Sequence, residues 1–238
     1  MKITLTPASK LAELIVPAPV KASSMIPEWF KQIPTHEEGY DGNRMSRNVF
    51  EGTSLTVRGC NPFLDTLTSG YIFTLAADVE FKWEEDQFAP SWLVDYALME
   101  GQAEYQTKGI PQIHDRVKYV YKFSSGWKIN TPKGYSTLFT HPLNRHDLPF
   151  RTFSGIVETD KYNVQTDFPF QVIPPEDGSP LLIEKGTPIC QAIPFIRDEW
   201  KSEILPFNEE EEFKNRFNLR SKLDGSYRSQ FWERKKYS

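Results

Sequence analysis

The sequence predicts a mainly β fold, and three observations carry that expectation. The stretch 126–195 is a series of short β-branched and aromatic runs separated by Pro, Gly, Asn and Asp, the punctuation of a compact all-β unit. The 17 Phe, 10 Tyr and 6 Trp form a high aromatic load that favours strands and broad packed surfaces. Apolar residues recur with a period near two in 71–83 and in 116–123, as they do along half-buried strands. A chain of 238 residues is long enough to bury a real core, as one large all-β domain or two small ones.

In chain order, 2–5 alternates as a short strand does, and 11–16 reads as a strand or one helical turn ended by Pro17 and Pro19. Pro27 suits the first turn of a short helix whose apolar face is Ile26, Trp29, Phe30 and Ile33. The polar stretch 35–48 is expected to be an exposed loop. At 56–65 the chain begins as a strand and turns at Asn61-Pro62, with a short helical turn near Leu64–Thr68. One strand is expected over 71–83, with a bulge or bend at Ala76-Ala77-Asp78. The region 84–110 has no firm assignment. Strands follow at 116–123, 127–130, 135–140, 153–158, 168–173, 181–183 and 189–195.

After Phe195 the character changes. Asn208-Glu209-Glu210-Glu211 is a capping-box pattern. Glu209 to Glu212 lie at the positive end of the helix dipole, and Lys214, Arg216, Arg220 and Lys222 lie toward its negative end. Gly225 fits a C-terminal stop, and a basic aromatic tail follows. The expected division is an N-terminal arm and loop over 1–50, a β-rich body over 51–200 and a C-terminal helix and tail over 201–238, forming one domain overall.

Composition excludes several classes. With 39% hydrophobic and 25% charged residues, the chain is not of the disordered type. A net charge of −4 argues against general nucleic-acid binding, which needs an excess of Lys and Arg. No apolar run approaches the ~20 residues of a membrane helix, and the N-terminus lacks the apolar core of a signal peptide. Cys60 and Cys190 sit far apart in apolar contexts and read as two buried free thiols. A host cytoplasm or a virus particle assembled there is the expected location.

The segments GYSTLF (134–139), GIVETDKY (155–162) and IEKGTPICQAIPF (183–195) resemble, in order and spacing, the dUTPase and dCTP deaminase superfamily. The likeness spans 133–195, about a quarter of the chain. It implies a β-clip-like or distorted-barrel body and a homo-oligomer, to which the residue pattern adds aromatic N- and C-terminal arms and a C-terminal α-helix. In that superfamily an acidic residue after the glycine-led turn activates water or orients the sugar. Glu158 occupies that place here, Tyr162 falls one residue late, and Gln191 matches the glutamine of the G-x-x-x-x-Q turn. The resemblance implies Glu158 as the catalytic residue and Tyr135, Asp160, Tyr162 and Gln191 as ligand-binding residues, and the polar loop after Thr140 adds Asn144 and Arg145 as ligand-binding candidates. Over most of its length the chain also resembles a family of uncharacterised bacteriophage proteins, through TVRGCNPFLDTLTSGYIF, GWKINTPKGYSTLFTHPLN, DFPF and the closing FW-x-x-K.

Two departures weigh on the function. The serine-rich phosphate motif expected after GYSTLF is replaced by THPLNRHD, and the glycine-rich C-terminal arm by FWERKKYS. A triphosphate needs several N–H and cationic donors at once. His141 and His146 stand on a Pro-broken loop with Asn144, Arg145 and Asp147, where a polar contact loop is the simpler reading than a metal or anion site. Cys60 beside Arg58 has no base near it in sequence and reads as a packed thiol. The preferred reading is a phage-encoded, non-catalytic binding or assembly protein, as a virion component or a trap for a small ligand such as a nucleotide, with no cofactor. Trp29, Phe30, Phe231 and Trp232 are its expected anchors for other phage proteins. The alternative is a divergent nucleotide hydrolase or deaminase, and only there does magnesium enter.

Overall fold

The computed structural model describes residues 2–38, 47–48, 53–117, 119–220 and 226–235. The chain divides into two compact units, one of Met1–Met25 with Ser69–Arg197 and one of Ile26–Thr68 with Asp198–Ser238. The expected boundaries at 50 and 200 cut across this division. The first 25 residues join the β body, and the second unit is assembled from two pieces far apart in sequence.

The first unit is mainly β, and its paired strands are antiparallel. Its central sheet has the order Gly155–Val157, Tyr135–Thr140, Pro188–Ile196, Tyr71–Thr74, Val20–Lys21. Tyr135–Thr140 lies second in this order, pairing Thr137 with Val157 on one side and Thr140 with Gln191 on the other. A second sheet runs Phe150–Thr152, Phe168–Val172, Tyr121–Phe123, Met99–Gly101, and a third runs Leu181–Ile183, Val79–Glu84, Gln87–Ser91. The strand Thr4–Pro7 pairs with Trp127–Asn130.

The core explains the phenylalanine content. Phe81, Phe123, Phe150 and Phe170 are fully buried. Phe123 and Phe170 stack at 3.7 Å and 9°, and Phe150 meets Phe123 edge-on at 5.2 Å. Each lies on a strand whose alternate residues face this interior, so the period of two turns directly into a buried aromatic layer. Gly70, at φ +69°, sits so close to the neighbouring strand that an added Cβ would lie 2.0 Å from the Ala192 carbonyl oxygen. Only glycine fits there.

Several expectations are corrected. The run 71–83 is two strands, Tyr71–Thr74 and Val79–Glu84, and the bend between them moves the chain from one sheet to another. A hairpin that periodicity did not resolve follows, turning at Glu85 with φ +55° and returning along Gln87–Ser91. Among the described residues of 116–123 only Tyr121–Phe123 is strand. The segment 11–16 is helical: Lys10–Ile15 is capped by Ser9, whose hydroxyl accepts from the Ala12 N–H at 3.0 Å.

In the second unit the expected loop over 35–48 contains His36–Glu38, a strand paired with Thr53–Leu55, and Arg47–Asn48 pairs with Thr53–Leu55 as well. Asn61-Pro62 opens the helix Asn61–Thr68 rather than turning the chain. Pro27 directly precedes the helix Glu28–Gln32. Trp29 packs edge-on against Phe63, and Phe30 stacks on Phe63 at 5.7 Å. The Trp232 indole donates to the Asp65 carboxylate at 3.0 Å. Both aromatic arms therefore reach the same short helix within this unit. Glu209–Arg220 is helical, with Asn208 accepting from the Glu211 N–H at 3.2 Å as the capping pattern requires. Gly225 and Lys222 lie outside the described residues.

Candidate functional site

The residues singled out by the sequence fall into two groups at opposite ends of the strand Tyr135–Thr140. Six residues at the antiparallel rise put these ends about 17 Å apart.

The first group surrounds Tyr135. A turn after Gly155–Val157 is closed by the Lys161 and Tyr162 N–H groups, which donate to the Glu158 carbonyl at 2.9 and 2.8 Å. Glu158 and Tyr162 are exposed on it. Gly155 has no positive φ and open space around it, so the close approach or left-handed turn expected there belongs instead to Gly134, at φ +89°. Asp160 is the structural centre of the group. Its side chain is 2% exposed and accepts from the Gly134 N–H at 2.9 Å and from the Arg197 guanidinium through both carboxylate oxygens. Arg197 and then the Gly134 N–H hold its carboxyl down, at about 2 against an ordinary 3.8. Arg197 also donates to the Tyr135 carbonyl at 2.7 Å and the Ser136 hydroxyl at 3.0 Å. Beneath them Thr131, Thr137 and Thr159 join hydroxyls at 2.8 Å.

The second group is the THPLNRHD loop with Gln191. The buried Gln191 amide accepts from the Leu143 N–H at 2.8 Å and donates to the Ser69 carbonyl at 2.7 Å. It clamps the loop to the start of the neighbouring strand. Asn144 takes a left-handed conformation, φ +60°, in the turn closed by the Arg145 N–H on the Pro142 carbonyl. Arg145 is 14% exposed and grips Asp147 through Nε and a terminal nitrogen, each at 2.9 Å. The His141 Nδ1 accepts from the Thr152 N–H at 3.3 Å, so its Nε2 carries the proton given to the Arg145 carbonyl at 3.0 Å. Burial lowers its pKa, which keeps this neutral tautomer in place.

The structure thus brings Tyr135, Glu158, Asp160 and Tyr162 together, and separately Asn144, Arg145 and Gln191. It does not bring Glu158 to Gln191. Arg197, which organises the first group, was missed because it follows a strand end with no motif spacing to mark it. Asp160, Arg197, Arg145 and Gln191 already bind the protein's own chain, whereas Glu158 is exposed. Three surface hollows lie around Tyr105 and Lys108, around Trp92 and Tyr96, and around Phe207 and Phe213, and none of these three includes Glu158, Arg145 or Gln191.

The cysteines are both free. Cys190 is buried, with its thiol pushed far up by desolvation, whereas Cys60 is exposed, contrary to the buried thiol expected. Among the described residues no three His, Cys, Asp or Glu side chains gather as a metal site, and no helix is long and apolar enough to cross a membrane.

No protein-family model and no curated protein matches the chain. Among solved structures it is similar to dUTPases, from phages and from EIAV. A mutant dUTPase of S. aureus phage phi11 shares 10% identity at a TM-score of 0.39, over 89% of this chain and 99% of that one. A mutant dUTPase of Staphylococcus bacteriophage 80alpha, bound to dUpNHpp, shares 10% at 0.37, over 87% and 90%. The EIAV dUTPase shares 11% at 0.32, over 75% and 94%. At such identities and with TM-scores below 0.5, nothing about activity passes from these enzymes to this chain, which is mainly β and similar to them in outline.

Proposed function

We propose that this chain is a non-catalytic binding or assembly protein built on a β scaffold. The observation that supports the reading is the separation of Glu158 from Gln191 and Arg145 along the strand Tyr135–Thr140. A hydrolytic site needs its acidic group and its phosphate donors within a few ångström of one substrate. Here Arg145 donates to Asp147, and the Gln191 amide donates to the Ser69 carbonyl while accepting from the Leu143 N–H. The sequence resemblance to bacteriophage proteins makes a virion component the first form of this role, and a deoxynucleotide the first small ligand to try.

The test is turnover of a deoxynucleoside triphosphate panel, followed by pyrophosphate release and by loss of the exocyclic amine. Wild type and Glu158→Gln are expected to be equally inactive, with or without magnesium. Turnover by wild type that Glu158→Gln abolishes would overturn the reading. Mass spectrometry of purified particles tests the virion role, and absence of the chain from them rules that form out.

One observation favours the alternative, a nucleotide hydrolase or deaminase: Glu158 and Tyr162 are exposed on an ordered turn beside Tyr135. Under this reading the missing phosphate donors come from a second copy of the chain. Asp160 is a poor magnesium ligand there, because both its oxygens already accept hydrogen bonds.

A further inference from the structure

Three side chains hold the loop that leads from Tyr135–Thr140 in the central sheet to Phe150–Thr152, the edge strand of the second sheet. Gln191 accepts from the Leu143 N–H at 2.8 Å. Arg151 donates to the Leu148 and Phe150 carbonyls, each at 2.8 Å, and to the His146 carbonyl at 3.4 Å. His141, at the start of the loop, ties its turn to the strand edge. The Nδ1 accepts from the Thr152 N–H at 3.3 Å and the Nε2 donates to the Arg145 carbonyl at 3.0 Å. The ring stands edge-on to Phe150, with centroids 5.8 Å apart.

These ties differ in chemistry. A glutamine amide does not titrate, and a guanidinium keeps its charge. An imidazole gains a proton in the mildly acidic range. Both partners of His141 are backbone groups with fixed roles, since an N–H only donates and a carbonyl only accepts. The neutral ring with its proton on Nε2 satisfies both. A second proton goes onto Nδ1, where it meets the Thr152 N–H head-on. That hydrogen bond is then lost, and the N–H is left without its acceptor.

The surroundings do not offset the loss. Neither ring nitrogen meets a carboxylate. The charged and titratable groups acting on the ring are Arg151 from the strand and His146 and Arg145 from the loop, all of basic type. The acid of the loop, Asp147, is engaged by Arg145 through Nε and a terminal nitrogen. Burial first, and then these neighbouring cations, hold the ring's pKa below the ordinary 6.5.

We propose that His141 is an acid-sensitive latch, which closes the loop's turn onto the edge strand Phe150–Thr152 when neutral and releases it when protonated. Release frees the turn that carries Asn144 and Arg145 and opens the Thr152 N–H on the sheet edge, while Gln191 still holds Leu143. The closed latch binds the proton less readily than the released one. Its stabilisation is therefore complete above the ordinary 6.5 and is lost as pH falls through the folded value.

The test is amide hydrogen exchange of the full chain, followed by NMR from about pH 7.5 to about pH 4.5, above the ordinary carboxylate range. The protection factor of the Thr152 amide is expected to fall about tenfold per pH unit below about 6.5, until the folded value is reached. The Leu143 amide, held by a glutamine, is expected to keep its protection. His141→Asn retains an acceptor near the Nδ1 position and cannot titrate, so its Thr152 protection is expected to stay flat. The ring nitrogen shifts of wild type need no variant. They are expected to pass from the neutral Nε2–H form to the doubly protonated form over the range in which Thr152 protection falls. Constant Thr152 protection in wild type, or a fall in His141→Asn equal to that of wild type, overturns the proposal. An equal fall at Leu143 overturns it as well, because the loop then opens as a whole. So does a ring that titrates outside the range of the loss.

Discussion

Asp160 shows how a residue with a catalytic type can have a structural occupation. Its carboxylate ties the left-handed turn at Gly134 to Arg197, the last residue of the β unit. Because the folded carboxyl is held at about 2 against an ordinary 3.8, its stabilisation is complete above the unfolded value and is lost as pH falls through the folded one. The urea midpoint of wild type is therefore expected to exceed that of Asp160→Asn at about pH 5, with the gap closing toward about pH 2. A gap that stays constant over that range would show that the Arg197 pairing does not act through ionisation. The type and turn position of Asp160 were legible in the sequence. Its partner was not, since 37 residues separate it from Arg197 and no spacing rule links a strand-end turn to the residue after a different strand.

At the scale of elements, strands were legible where alternation met strong punctuation. Tyr135–Thr140 and Trp127–Asn130 match the expected bounds, and Leu181–Ile183 does as well. The 71–83 run misled because its alternation continues through a bend, and periodicity cannot show that a chain has changed sheets. The helix at 209 was legible because its cap is a local interaction between residues three apart. The aromatic layer rests on tertiary packing and is testable through it. Phe170→Ala is expected to cost about 3–5 kcal/mol by denaturant titration, with Phe123→Ala similar. Their stacking predicts a coupling of about 0.5–1.5 kcal/mol in the double variant. Strict additivity would mean that the stack contributes only its buried area.

For the whole molecule, the discontinuous second unit is the feature with consequences. The Trp232 indole and Lys235 ammonium both reach Asp65, at 3.0 and 3.4 Å, from a position 167 residues away in the case of Trp232. Ending the chain after Arg197 keeps every strand of the β unit but removes this partner from Ile26–Thr68. Limited proteolysis of that truncated chain is expected to cut within 26–68 several-fold faster than in the full chain, while the β unit persists. Equal cutting rates would mean that the C-terminal piece does not support the other half of its unit. The same arrangement accounts for three of the four expected partner anchors. Trp29 and Phe30 are packed on Phe63 and Trp232 is bonded to Asp65, which leaves Phe231 as the exposed one.

The sequence by itself determined the mainly β class, most strand positions in 126–195, the Asn208 cap and the charge division of the helix it starts. All of these arise from interactions between residues close in the chain, where propensity, period and capping act directly. Only the tertiary structure decided which strands share a sheet, that two pieces far apart in sequence form one unit, and that Glu158 and Gln191 stand at opposite ends of one strand. Those outcomes depend on long-range pairing, whose register is set by the packed core rather than by any local run.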